Sequence, residues 1–238
     1  PDEPTSLQHE LFTPKMDRTP PVGQDESTVG ASVQQHELAS TPFDTGVLSG
    51  GHGHRDAELA ARIASDHGKQ VRLVTNGLEQ VPGDYLREVQ NVVIQFVRNA
   101  VVHGIEDAGL RAHAGKDPAG LLQVEFMSRE HGFELVFQDD GAGIRADRVR
   151  EKAVALGLVD PAQAGTLDER STLGLIFKAG ISTHDGHDRD AGRGVGLDLV
   201  LKSVHQLGGK IAVATVPGRL TRFRVLLPAQ DEQHDAVA

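Results

Sequence analysis

Across residues 1–52 apolar side chains recur with no sustained period, and Pro, Ser, Thr, Gln, Asp and Gly dominate. Such a stretch cannot bury enough surface to offset the entropy of ordering, so it is expected to be a flexible linker or tail. From Asp56 the pattern changes. "DAELAARIASDHGK" places apolar residues at helical spacing and predicts a helix closing near Gly68, whereas "QVRLVTNG" alternates and predicts a strand stopping at Asn-Gly. A helix is then expected from about Asp84, read as its N-cap, to about Val102, before Gly104. "LLQVEFMS" and "FELVFQDDG" read as adjacent antiparallel strands across a Gly turn. "RADRVREKAVALGL" and "DERSTLGLIFKAG" are helical, and "ISTHDGHDRDAGRG" is a polar loop. "VGLDLVLKSVHQLGG" is a helix, and "KIAVATV" and "RFRVLLP" are strands around Pro-Gly.

Helices and antiparallel strands sharing one core imply a two-layer α/β (α+β) sandwich. The folded domain is expected over residues 53–229, with residues 230–238 a polar tail. "QHELFTP" (Gln8–Pro14) recurs loosely as "QHELASTP" (Gln35–Pro42), which reads as compositional coincidence rather than a pair of docking motifs.

The formal net charge of -10 argues against a nucleic-acid partner. The absence of cysteine excludes disulfides and thiolate metal sites and fits a cytoplasmic protein. No apolar run is long enough to insert into a membrane. The first residue is Pro rather than Met, so the chain is expected to be a piece of a longer protein or a processed one.

The candidate chemistry begins in "QFVRNAVVHGIED". Val93, Phe96, Val97, Ala100 and Val101 form the apolar stripe, while Gln95, Asn99 and His103 stand at i, i+4 and i+8 on another. "DDGAG", Asp139 to Gly143, ends a strand with a carboxylate able to accept from an exocyclic amine, and its glycines admit a base close to the backbone. "GRGVG", Gly192 to Gly196, enters a helix and can turn backbone N–H groups toward phosphate; no strand directly precedes it, so it is not a Rossmann fingerprint. His184, Asp185, His187, Asp188 and Asp190 read as a solvated loop rather than a metal cluster, and "GHGH" at 51–54 likewise reads as loop.

In this order the pieces resemble the N, G1, F and G2 boxes of the GHKL ATP-binding superfamily of gyrase, MutL and histidine kinases. "RNAVVHGIED", "IFKAGIST" and "AGRGVGLDLV" narrow the resemblance to the catalytic domain of CheA-type chemotaxis histidine kinases, over about Ala57 to Pro228. The resemblance implies a Bergerat ATP-binding fold, a mixed sheet covered by helices on one face, with ATP and Mg²⁺ as cofactors. It implies that Asn99 ligates Mg²⁺, His103 faces the phosphates, and Asp139 takes the adenine amine in a pocket shaped by Gly141 and Gly143. Phe177 would anchor a lid from about Gly180 to Gly192, and Gly192, Arg193, Gly194, Val195 and Gly196 would surround the triphosphate. Lys178 and Arg193 would be charge partners. Thr221 would lie near the base in a turn where Leu220 replaces the family's second glycine.

Gln95 departs from the pattern: the CheA-like members usually have His there, and the hydrolytic members Glu. Glutamine is no general base at neutral pH. A neutral imidazole acceptor attacks phosphorus with its own lone pair, whereas water or a serine hydroxyl benefits from a base, so histidine kinase is favoured over ATPase or serine kinase. The same Gln95 also fits a catalytically weak nucleotide-sensing module. None of His9, His36, His52, His54 and His67 lies in a four-helix-bundle pattern. The expected partners are therefore a separate histidine phosphotransfer domain and a downstream response regulator, and a homodimer is compatible with the sequence.

Overall fold

The computed structural model describes residues 51–181 and 196–229, with side chains from Asp56 onward. The expectations for residues 1–50, the lid beyond Ile181, Gly192 to Val195 and the C-terminal tail lie outside the described residues.

Helix α1 is Gly51–Asp66 and strand β1 Val71–Asn76. The first departs from expectation: it starts at Gly51, so "GHGH" is helix rather than loop. Helix α2 is Gly83–Asn99, with Pro82 at the N-cap; Asp84 lies in the first turn and is not the cap. A single π turn, Ala100–Gly104, continues it. Helix α3 (Ala108–His113) follows, then strands β2 (Gly120–Arg129) and β3 (Gly132–Asp139). Next come α4 (Ala146–Ala155), α5 (Pro161–Ala164) and α6 (Glu169–Gly174), the last running into a 3-10 turn, Leu175–Phe177. Helix α7 (Leu197–Gln206) leads to β4 (Lys210–Val216) and β5 (Leu220–Pro228).

The five strands lie in the order β1-β2-β3-β5-β4. β1 runs parallel to β2 and every other pair is antiparallel, so the sheet is mixed. A parallel pair cannot be closed by a hairpin, and α2 and α3 lie within the crossover.

Register explains the two layers. On one face Leu122, Val124 and Phe126 of β2 stand beside Leu135 and Phe137 of β3, then Phe223 and Val225 of β5 and Ile211 and Val213 of β4. All are buried, in one cluster with Val89, Phe96 and Val97 of α2 and Val200 and Val204 of α7. The opposite face carries polar residues that bond along the sheet: Arg222 Nε donates to Gln138, Gln138 Nε2 to Gln123, and both Arg129 and Arg224 pair with Glu134. One apolar face and one polar face require helices on a single side.

Phe96 sits at the centre, its ring stacked on Phe223 with centroids 4.6 Å apart and tilted against Phe137 at 5.3 Å. Phe177 meets the far edge of Phe223 at 6.3 Å. Phe96→Ala should cost about 3–5 kcal/mol in a denaturant titration, since a fully buried ring leaves a cavity between sheet and helix.

Candidate nucleotide-binding site

The last turn of α2, the π turn and the loop after β3 meet at one end of the sheet. Asn99 closes the α-helix, and the wider turn beyond it is closed by Ile105 N–H donating to Ala100 O at 2.7 Å. π turns leave carbonyls without their usual partners. Lys69, between α1 and β1, supplies a replacement: its Nζ donates to Val101 O at 2.7 Å and to Val102 O at 3.3 Å. Burial holds the Lys69 ammonium below its ordinary pKa, against the opposing pull of Asp107 and Glu106. His103 lies in the wider turn, so it does not continue the α-helical stack of Gln95 and Asn99 that spacing predicts, although it stays at the same end of the helix.

Three side-chain polar atoms on α2 are buried without a hydrogen-bond partner, Arg98 Nε and, on two amides, Gln95 Oε1 and Asn99 Nδ2. Neither amide is explained by packing alone, because an orphaned buried polar atom costs roughly 1–3 kcal/mol. With its nitrogen turned into the protein, the carboxamide of Asn99 has its oxygen left for a ligand, and that oxygen is a hard donor of the kind Mg²⁺ takes. The residues therefore fit the ion.

Asp139 ends β3 opposite Thr221 of β5, and both are buried. The carboxylate is 2% exposed, and its Oδ1 accepts from Gly141 N–H at 3.0 Å. Burial pushes its pKa up to about 7, with Asp140 and Glu106 adding to the rise and Gly141 N–H and Lys116 opposing it. A buried carboxyl poised this way at a strand end is costly to the fold and useful to a ligand.

The loop after β3 is pressed against both neighbours. Ala142 N–H donates to Gly104 O at 2.8 Å, and a Cβ on Gly141 would lie 2.3 Å from that same carbonyl oxygen. Gly143 has φ +69°, and a Cβ there would meet Val216 O at 2.6 Å. On the other side Thr215 Oγ1 accepts from Ile144 N–H at 2.7 Å and donates to Leu220 O at 2.9 Å, and Gly218 N–H donates to Ala142 O at 2.7 Å. Leu220, in place of the family's glycine, thus starts β5 as ordinary strand. Gly141→Ala should part the loop from Gly104 and cost on the order of 1–3 kcal/mol of nucleotide-binding energy, read by calorimetry.

Among the other expected residues, Gly196 is the N-cap of α7, in extended backbone. Phe177 is buried and Lys178 is exposed, a few residues before the described chain breaks off after Ile181. Sequence reasoning missed Gly104 and Thr215, and also Glu106, Arg111, Lys116 and Asp140, which form an ion network beside the loop. Among the described residues no group of three or more His, Asp or Glu could hold a metal, and no helix is long and apolar enough to cross a membrane.

Residues 84–231 match the model of the histidine kinase-, DNA gyrase B-, and HSP90-like ATPase family. The chain belongs to that family. Within this ATPase family it is 39% identical over 175 residues to the chemotaxis protein CheA of Cereibacter sphaeroides, covering 73% of this chain and 25% of that one. It is 36% identical to the chemotaxis protein CheA of Rhizobium meliloti, covering 73% and 23%. It is 34% identical to the gliding motility regulatory protein of Myxococcus xanthus, covering 70% and 22%. The chain spans about a quarter of the length of these relatives.

Proposed function

We propose that the chain is the catalytic domain of a cytoplasmic two-component histidine kinase, chemotaxis-like or hybrid. In this reading it transfers the γ-phosphate of Mg-ATP to a histidine on a separate phosphotransfer domain, from which a response regulator is charged. The observation that carries the reading is the buried Asp139 at the end of β3, brought against the Gly104 turn that closes the Asn99 helix.

Each residue then has a task. Asp139 accepts from the exocyclic amine of adenine, and Thr221, directly across the strand pair, borders the base. Gly141 and Gly143 keep the floor of the base pocket flat. Gly196, with Gly192 to Val195 before it, offers backbone N–H groups to the phosphates, and Lys178 and Arg193 offset their charge. Phe177 roots the lid in the core. Asn99 Oδ1 would hold Mg²⁺, whose charge, when bound, draws electron density from the phosphates. His103 faces the phosphates from the π turn.

In the transfer itself the acceptor imidazole nitrogen attacks the γ-phosphorus with its lone pair. The bond between that phosphorus and the β–γ bridging oxygen breaks, and its electrons leave with ADP. The imidazole N–H proton is lost to solvent as the neutral phosphohistidine ring forms. No step asks for a protein base, which is why glutamine at position 95 is compatible with transfer to histidine and unfavourable for hydrolysis. Incubation with γ-labelled ATP and phosphotransfer domains should give acid-labile, base-stable label; acid-stable label would overturn the reading.

Gln95 also supports a second reading, a module that binds ATP and signals without catalysis, because its buried Oε1 is orphaned and cannot act as a base. The two separate on Gln95→His. A kinase should change its transfer rate by about tenfold or less, while a sensing module should bind ATP tightly, show no turnover over hours, and gain it on substitution.

A further inference from the structure

Beside the loop after β3 lies a cluster of charges that the catalytic reading does not use. Arg111, on α3, is 0% exposed. Its Nε donates to Asp117 O at 2.7 Å, Nη1 to Glu106 Oε2 at 3.0 Å, and Nη2 to Asp140 Oδ2 at 2.8 Å. The ammonium of Lys116 donates to Glu106 Oε1 at 2.7 Å, Asp140 O at 2.9 Å and Gly141 O at 2.8 Å. The remaining oxygen of Asp140, Oδ1, accepts from Leu121 N–H at 2.9 Å.

Both carboxylate oxygens of Asp140 and the carbonyls of Asp140 and Gly141 are thereby engaged, and two cations converge on the main chain, Lys116 and, through Nη1 to Asp140 O at 3.3 Å, Arg111. Fully burying a guanidinium and spending two of an ammonium's three protons on one short turn, with the third on Glu106, is expensive unless the turn must not move. A loop needing only to reverse direction would use solvated carbonyls.

We propose that Arg111 and Lys116 are positioning residues for adenine recognition: both clamp the turn from Asp139 to Gly141, and Lys116 in addition places a positive charge near Asp139 that favours its form as an acceptor for the exocyclic amine. The proposal rests on the nucleotide reading above and deepens it. The charged groups acting on Asp139 are Asp140 of its own turn and Glu106 and Lys116 from the segment after the π turn. Burial raises the Asp139 carboxyl most; Glu106 and Asp140 add to that rise and Lys116 opposes it, so the cluster tunes the pH below which the acceptor is lost. Opposite substitutions should move that limit in opposite directions.

The experiment titrates the full chain with ADP and with the diphosphate of purine riboside, which lacks the amine, from pH 5.5 to 8.5. Taking the ratio of the two affinities cancels the titration of the phosphates. For the wild type the ratio should decline as pH is lowered through about 7, approaching tenfold per pH unit beneath the break if the protonated acid contributes nothing. Lys116→Met should move the break upward by about half a pH unit or more, and Glu106→Gln should move it downward. Thermal melts of both variants separate these effects from unfolding. A break that stays put in both variants, or a loss equal at every pH, overturns the proposal and leaves the cluster a structural brace. If the wild type binds neither diphosphate, the nucleotide reading itself falls.

Discussion

Asp139→Asn should abolish most adenine recognition while making the protein more stable. A hydrogen bond to a charged acceptor contributes about 1.5–3 kcal/mol, so ADP affinity should fall by roughly tenfold to a hundredfold. The stability gain follows from linkage. The carboxyl has an ordinary value of 3.8 and is pushed up to about 7 in the fold, so between those values the native state holds a proton that the unfolded chain has released. The sign is therefore fixed: Asp139's contribution favours the fold at low pH and declines as pH rises through this window, by at most on the order of 4 kcal/mol. The neutral carboxamide of the variant carries no such penalty. Chemical denaturation at pH 5 and pH 8 should show the variant gaining most at pH 8; a variant less stable than wild type at pH 8 would mean that the carboxylate is held by partners in the apo fold and is not poised for a ligand.

Asn99→Ala carries the second large effect, expected on turnover and not on folding. If the Asn99 oxygen holds the ion, its loss should lower Mg-dependent phosphotransfer by about a thousandfold, of the order lost when one preorganised electrostatic group is removed from such a site. ADP affinity without Mg²⁺ should change little, and the melting midpoint should hold or rise, because alanine is a better helix former and the orphaned Nδ2 disappears. Adding a chelator to the wild type should reproduce the same loss. Retention of Mg-dependent transfer in the alanine variant would remove Asn99 from the metal site.

Much of the fold was legible because it rests on local period. α2 shows its stripe of Val89, Val92, Val93, Phe96 and Val97, and β2 and β3 show as two apolar-rich runs on either side of a turn that ends at Gly132. The parallel pairing of β1 with β2 was less legible, since β1 has a single buried residue, Leu73, and its partner lies beyond α2 and α3. The π turn was invisible because "AVVHG" has nothing that distinguishes it from an ordinary helix end, and the carbonyls it frees are taken by Lys69 from far away in the chain. α5 carried a signal that was passed over: Asp160 caps it and Pro161 opens it, but four residues are too few to show a period.

The site divides the same way. Asp139 and Asp140 are adjacent in "DDGAG", and the fold separates the two by environment, one buried at the strand end and the other paired with Arg111. Arg111 stands in "RAHAGKDPAG", a stretch with no apolar period to mark it as buried. Its burial is created by Glu106 and Asp140, and no single-sequence pattern predicts that a charge will find its partners across the fold.

The most direct test is calorimetric titration of the wild-type chain with ADP at pH 8, with and without Mg²⁺ and with GDP as competitor. The account predicts one saturable site per chain, tighter for ADP than for GDP and responsive to Mg²⁺. No heat of binding from a chain shown to be folded, or equal affinity for both bases, would contradict it.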